Sequence, residues 1–158
     1  MIRAYREGDL PILMEIADRA WWEIYQMFNE AYGDELFAII VPDPENSKGE
    51  QIKSHARSHP DWIFVCEEEG EIAGFVTFRL REEQKIGEIG NNAVHPDWRQ
   101  KGIAQQLYAA ALQHFRDQGM RFARVQTGMD GAHAPARRAY ERAGFDIHHE
   151  DITYHMKL

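Results

Sequence analysis

The chain has 158 residues, of which 44% are hydrophobic and 11% aromatic, so it can bury the core of one domain. The formal net charge of −8 argues against non-specific binding to nucleic acid or acidic membranes, and it favours cationic small molecules as partners. No apolar run approaches the roughly 18 residues of a membrane span, and the N-terminus is charged, so we expect a cytoplasmic protein. The single cysteine, Cys66, lies in the apolar run WIFVC, which predicts a buried thiol.

The first sixty residues predict one short strand and one long helix. IRAY is typical of a strand, and Gly8 and Asp9 then provide a turn and a helix N-cap. Apolar residues recur every three or four positions after that cap, so Trp21 is expected to pack, whereas Trp22 lies off the stripe and can face a partner or substrate. The pattern of residues 33–60 gives less information and predicts only a loop at PDPENSKG and a short helix over 51–58.

The middle of the chain predicts three strands. WIFVC and IAGFVTFRL flank the turn EEEGE and form an antiparallel hairpin. IGEIGNNAV follows as a third strand, in which Gly87, Gly90 and the paired Asn91 and Asn92 predict a bulge or a splay. Pro96 ends this strand.

The last third predicts a helix after Gly102, a strand at FARVQTG, a short helix at APARRAYERAG and strand character in the tail HEDITYHMKL. The strand, helix and strand over residues 86–127 favour parallel pairing, whereas the preceding hairpin requires antiparallel pairing. The sequence therefore predicts a mixed α/β (α+β) fold with helices flanking a mixed sheet. No linker or repeat divides the chain.

The stretch HPDWRQKGIA, residues 95–104, stands at the entrance to the helix after Gly102 and suits a pyrophosphate. Unpaired N–H groups and the macrodipole attract an anion to a helix N-terminus, and Arg99 and Lys101 add full charges. Gly102 lets the main chain approach a ligand, and the small Ala104 keeps the first turn open. The GK[ST] ending of a P-loop is absent. Taken alone, a basic, solvent-exposed helix start accounts for the same residues.

Two motifs resemble the GNAT superfamily of N-acetyltransferases. The run NAVHPDWRQKGIA resembles its acyl-CoA-binding motif, because residues 99–104 match the pattern R/Q-x-x-G-x-G/A. HAPARRAYERAGF, residues 133–145, is similar to its second hallmark, a helix with an alanine and a tyrosine followed by Gly-Phe, and IRAYREGDL resembles its first strand and helix start. The resemblance implies one GNAT-like domain over residues 1–158, with a mostly antiparallel, mixed central sheet of about six to seven strands flanked by helices.

The resemblance also implies acetyl-CoA as a co-substrate. Its pyrophosphate is expected on backbone amides from Gln100 to Ala104, and its pantetheine along the strand that ends at Val94. The sequence departs from the family at Ala104, where a glycine is frequent, and at His133, where many members carry an asparagine. The expected cofactor-binding residues are Ala93, Val94, Arg99, Gln100, Lys101, Gly102, Ile103, Ala104 and His133.

Acetyl transfer from a thioester to an amine needs a base, a donor for the developing oxyanion and a route for the thiolate to leave. Glu88 resembles the general-base glutamate of some family members, acting directly or through a water, and the alternative is an ordinary exposed strand residue. A backbone N–H near Ala93 or Val94 can donate a hydrogen bond to the oxyanion if the bulge frees this N–H from the hydrogen bonds between strands. Tyr140 matches the family's thiolate-protonating tyrosine, and the alternative is a packed aromatic residue.

We expect direct transfer in a ternary complex, because neither motif contains a convincing nucleophile. The competing function is a non-catalytic acyl-CoA-binding sensor or regulatory module, and a structural domain without a ligand is a third. The expected acceptor is a small-molecule or peptide amine, and a homodimer is possible because dimers are common in the family. No metal site is expected, since His55 and His59 have helical spacing but no obvious third ligand.

Overall fold

The computed structural model describes every residue from 1 to 158. Its strands are β1 Ile2–Ala4, β2 Ile63–Glu68, β3 Glu71–Arg81, β4 Ile86–Val94 and β5 Phe122–Val125. Its helices are α1 Leu10–Tyr32, α2 Asp34–Ile40, α3 Ser47–Ser58, α4 Ile103–Asp117 and α5 Ala134–Arg142. None of these helices combines the length and apolarity needed to cross a bilayer.

The five strands form one sheet in chain order, β1-β2-β3-β4-β5. Strands β1 to β4 pair with one another in antiparallel fashion, and β5 lies parallel to β4 because α4 carries the chain back across the sheet. The predicted mixed, mostly antiparallel sheet with flanking helices is therefore confirmed. The number of strands is five rather than six to seven.

The difference in strand number comes from the tail, since residues 145–158 form no strand. The His155 ring lies 5.2 Å from the Tyr32 ring, and Lys157 Nζ lies 2.6 Å from Glu35 Oε2. These contacts hold the tail to the end of α1 and the start of α2. A pattern with strand character does not form a strand without a ladder partner, which is why the tail differs from its prediction.

Each face of the sheet is covered by its own helices. Phe75 and Val76 are adjacent on β3 and point to opposite faces, as the pleat requires. One face packs against α4, and the other packs against α1 and α3. The fully buried side chains include Phe78 and Ala111 on the α4 side, and Leu13, Ile16, Ile52 and Val65 on the side of α1 and α3. Cys66 is fully buried, as its apolar run predicts.

The segment between α1 and β2 contains two helices where the sequence predicts one. α3 begins at Ser47 instead of residue 51, and α2 has no counterpart in the prediction. Asp18 Oδ1, on α1, accepts the backbone N–H of Gly49 at 2.7 Å, and the carboxylate leaves no room for a side chain at that glycine. The start of α3 therefore depends on a residue 31 positions earlier in the chain, which local patterns do not reveal.

Candidate active site

A bulge interrupts β4 at Gly90 and Asn91. Both residues oppose the single residue Thr77 of β3, because the register shifts there by one residue. Thr77 Oγ1 donates to the carbonyl oxygen of Asn91 at 3.0 Å, and a Cβ on Gly90 would lie 2.7 Å from the same Oγ1. The bulge predicted from this glycine and the paired asparagines is confirmed.

A cavity of about 830 Å³ opens where β4 and β5 separate. β5 pairs with β4 only as far as Val125, opposite Ile89, and β4 continues to Val94 with β3 as its only neighbour. The backbone N–H of His95 donates to the carbonyl oxygen of Ala73 on the β3 side at 2.9 Å. Successive N–H groups of a strand point to opposite edges, so the N–H of Val94 points into the gap left by β5.

The entrance to α4 forms one rim of the cavity. Gln100 and Gly102 both have positive φ, 63° and 77°, so the chain turns sharply before the helix begins at Ile103. Gly102 is the N-cap, and no side chain caps the first amides of the helix, which have no partner within the helix itself. The predicted cofactor-binding residues that line the cavity are Ala93, Val94, Arg99, Gln100, Gly102, Ile103, Ala104 and His133.

Lys101 is the one predicted cofactor-binding residue that does not line the cavity. Its Nζ lies 4.2 Å from the centre of the Trp98 ring, at cation–π distance. Trp98 itself lines the cavity, so the Lys101 charge is held behind an aromatic side chain of the wall.

Asn92, Tyr108 and Tyr140 form a hydrogen-bonded group on the same side of the cavity, which we call the tyrosine cluster. Tyr108 Oη donates to Asn92 Oδ1 at 2.7 Å, and Asn92 Nδ2 donates to Tyr140 Oη at 3.0 Å. Both rings are buried, with centroids 5.1 Å apart. Burial raises the pKa of Tyr140, and the hydrogen bond from Asn92 only partly offsets this effect. Tyr140 is therefore a protonated phenol at neutral pH.

Glu88 lies on β4 at the edge of the cavity, between two arginines. Its Oε2 accepts from Arg81 Nε at 2.6 Å, and its Oε1 pairs with Arg124 on β5. The carboxylate is 18% exposed. A proton accepted from a substrate would compete with both guanidinium groups, so Glu88 is a positioned carboxylate rather than a free one.

The loop between β5 and α5 brings His133 to the cavity. His133 Nδ1 lies 2.7 Å from Asp130 Oδ2, which leaves the other ring nitrogen for a ligand. Arg137 donates to the carbonyl oxygens of Gly128 and Asp130 at 2.6 and 2.8 Å. This arginine therefore stabilises the loop that positions the imidazole.

The model of the acetyltransferase (GNAT) family matches residues 21–145, most of the chain. The chain therefore belongs to the GNAT family. Its matched region contains the bulge, the entrance to α4 and the tyrosine cluster, so the resemblance seen in the two motifs is confirmed.

Among curated relatives, the mycothiol acetyltransferase of Streptomyces bingchenggensis (strain BCW-1) is 26% identical over 153 residues, which are 97% of this chain and 45% of that protein. The mycothiol acetyltransferase of Streptomyces coelicolor is 32% identical over 95 residues, 60% of this chain and 30% of that protein. The chain thus spans less than half the length of these relatives. The PaiA N-acetyltransferase from Thermoplasma acidophilum, solved in complex with coenzyme A, shares the fold with a TM-score of 0.71 and 19% identity over 96% of this chain and 92% of that one.

The side chains of this cavity that the sequence did not assign to the site include Trp21, Asn92 and Tyr108. The sequence places Asn92 only in the bulge, because the face to which a bulged residue points depends on the strand register. Tyr108 stands four residues after Ala104 on the buried face of α4, so helical spacing alone could have found it. Trp21 lines the cavity as well as packing, whereas Trp22 is exposed and lies outside the cavity wall.

Proposed function

We propose that this chain transfers an acetyl group from acetyl-CoA to a primary amine by direct attack within a ternary complex. One observation carries the proposal: β4 and β5 separate at a cavity that has an uncapped helix N-terminus on one rim and a buried, protonated tyrosine in its wall. Anion binding and proton donation are therefore available in the same space.

The entrance to α4 suits the pyrophosphate of acetyl-CoA. The first amides of α4 lack a capping side chain, and the positive φ of Gly102 favours a residue without a Cβ. Arg99 also lines the cavity and adds a full positive charge. We place the pyrophosphate on the amides from Gln100 to Ala104, and the pantetheine along β4 toward Val94.

The N–H of Val94 is our candidate for the oxyanion donor. It points away from β3 into the gap beyond the end of β5, so it is not used by the ladder on that side. A carbonyl oxygen placed against this N–H would bring the acetyl group to the point where the strands separate, between the two faces of the sheet.

Tyr140 is the proposed donor of a proton to the departing thiolate. Asn92 donates to the phenol oxygen, so the hydroxyl hydrogen of Tyr140 is left for a different acceptor. The raised pKa keeps that hydrogen in place at neutral pH. Tyr108 fixes the orientation of the Asn92 amide by donating to its oxygen, and it thereby acts on Tyr140 as a positioning residue.

Glu88, or a water that it holds, is the proposed base for the acceptor amine. The two arginines hold the carboxylate at the edge of the cavity. A water between Glu88 and the amine would carry the amine proton to one carboxylate oxygen while the other oxygen keeps its arginine. Direct transfer is favoured because the only thiol, Cys66, is fully buried on β2 and does not line the cavity. Burial also raises the pKa of that thiol.

The first experiment is a calorimetric titration with acetyl-CoA of the native protein, Gly102→Glu and Gly119→Glu. Both glycines have positive φ, 77° and 72°, and open space around the Cβ position, but Gly119 lies beyond the far end of α4. We expect Gly102→Glu to abolish binding through charge and bulk, and Gly119→Glu to retain it. Equal loss in both variants, or no binding by the folded native protein, would refute the cofactor site.

Release of thiol in the presence of amines separates the enzyme from the competing acyl-CoA sensor. The enzyme is expected to release coenzyme A only when an acceptor amine is added, whereas the sensor binds acetyl-CoA and releases none. The buried Tyr140 and its two partners favour the enzyme, because a sensor has no use for an oriented proton donor. One domain over residues 1–158 and a cytoplasmic location remain proposals that rest on the sequence, and a homodimer is a proposal that rests only on the family resemblance.

A further inference from the structure

Lys48 is a buried lysine without an acidic partner. It stands in the first turn of α3 with 9% of its surface exposed, and no carboxylate oxygen lies within 4.0 Å of its Nζ. Burial lowers its pKa to about 8, against a weaker raising effect of Asp18. The first turn of a helix is also an unfavourable place for a cation. Two separate costs therefore fall on one side chain, and no ion pair within the chain offsets them.

The surroundings of Lys48 connect it to the cavity. Its Nζ donates to Gln51 Oε1 at 2.8 Å and to Asn91 Oδ1 at 3.4 Å, and it lies 4.5 Å from the centre of the Trp21 ring. Trp21 and Asn91 both line the cavity, so the ammonium group stands directly behind two side chains of its wall. We call this part of the wall, formed by Trp21 and Asn91 with Lys48 behind it, the acceptor end.

The bulge separates the acceptor end from the tyrosine cluster. Asn91 reaches Lys48 on the α1 and α3 side of the sheet, whereas Asn92 reaches Tyr140 and Tyr108 on the α4 and α5 side. The pyrophosphate and thiol ends of acetyl-CoA are assigned to the second side. Lys48 does not itself line the cavity, but it stands behind Trp21 and Asn91 on the side that remains for the amine.

We infer that the acceptor is an amine that also carries a carboxylate, which Lys48 binds at the acceptor end. This inference rests on the proposed function and names its substrate class. The hydrogen-bond partners of Lys48 Nζ are uncharged amides, and the Asp18 carboxylate acts on it only from beyond ion-pair distance. This single cation therefore matches one monovalent anion, whereas phosphate sites use several cations or a row of backbone amides. The long contact to Asn91 is the bond that a carboxylate oxygen would replace. Glu23 also lines the cavity, and its carboxylate would attract the ammonium group of such a molecule before the ammonium loses its proton.

The inference refines the expectation from net charge. A net charge of −8 attracts cations toward the molecule from a distance. Lys48 acts only on a bound molecule, at short range, from its place behind Trp21 and Asn91. A polyamine would bring a second ammonium group toward Lys48 and is therefore disfavoured at this end.

The test compares β-alanine and γ-aminobutyrate with their primary amides as acceptors, using thiol release from acetyl-CoA by the native protein and Lys48→Met. We expect Lys48→Met to lower kcat/KM at least tenfold for the acids and less than twofold for the amides. Comparing variant with native protein on each probe cancels the different basicity of the amines. Lys53→Met is the matched control, because Lys53 lies on the same helix and pairs with Glu50 at its surface. It should leave all four values unchanged.

Calorimetry with N-acetyl-β-alanine and its amide, added to the coenzyme A complex, provides a second readout that does not need turnover. Tighter binding of the acid, lost in Lys48→Met, supports the inference. Equal kcat/KM and equal affinity for acids and amides would overturn the inference, and so would a preference for acids that survives Lys48→Met. The inference also fails if protein that binds acetyl-CoA neither turns over nor binds any of the carboxylate probes. Failure to bind acetyl-CoA would instead refute the proposed function itself.

Discussion

Tyr140→Phe tests the proposed chemistry most directly, because it removes one hydroxyl and keeps the buried ring. A general acid contributes about 10²- to 10⁴-fold to a rate. We expect the lower limit, about 10²-fold in kcat or about 2.7 kcal/mol, because an alkyl thiol with a pKa of about 8.5 is already a moderate leaving group. The loss should shrink as the pH rises above that value, since the thiolate then leaves without a proton. Thiol release measured from pH 6 to 10 gives both quantities.

Tyr108→Phe is the matched control for this experiment. It removes the hydroxyl that donates to Asn92, so each variant loses one hydrogen bond of the tyrosine cluster, and each should lower the free energy of unfolding by about 1 kcal/mol. Tyr108 does not reach the thiol in our proposal, so its loss should reduce kcat only a few-fold. Unchanged turnover of Tyr140→Phe at every pH, or an equal loss in Tyr108→Phe, would refute the assignment.

Three further predictions follow from the site and the core. Glu88→Gln should lower kcat/KM about 10²-fold at neutral pH and less at a pH where the amine is already neutral, and unchanged thiol release would exclude Glu88 as the base. The pKa of Lys48 is about 8 in the folded protein and about 10.4 in the unfolded chain, so the unfolded chain binds more protons between these pH values. As the pH rises from about 8 to about 10.4, the free energy of unfolding of the native protein should therefore increase by up to about 3 kcal/mol relative to Lys48→Met. Denaturation curves whose difference does not change with pH would contradict this. Gly87→Ala places a Cβ 2.3 Å from the Phe115 ring and should reduce the free energy of unfolding in urea by about 1–3 kcal/mol, while Gly8→Ala, with open space around it, should change it little.

The parts of the site that lie within one element could be predicted from the sequence. Gly102 and the helix that follows it form a local unit, and so does the helix that contains Tyr140, because capping and apolar spacing act over a few residues. The bulge could also be predicted from the sequence, since Gly90 and the two asparagines after it disfavour a regular strand.

The parts that depend on contacts between distant segments could not be predicted in this way. The start of α3 depends on Asp18 and Gly49, and the position of Lys48 behind the cavity wall follows from that start. Asn91 and Asn92 look equivalent in the sequence, and only the register against β3 sends them to different partners. The two arginines around Glu88 come from neighbouring strands, so its ion pairs appear only once the sheet is assembled.

The extra residue in β4 has a consequence for how this protein can diverge. Asn91 and Asn92 are adjacent in the chain, yet one contacts α3 and the other contacts α4 and α5. Substitutions on α1 and α3 therefore reshape the acceptor end while the tyrosine cluster keeps its hydrogen bonds, and substitutions on α4 and α5 do the reverse. Because of this bulge, the acceptor end and the tyrosine cluster can change by separate substitutions. A change of acceptor therefore does not require changes in the residues that bind and protonate the acetyl donor.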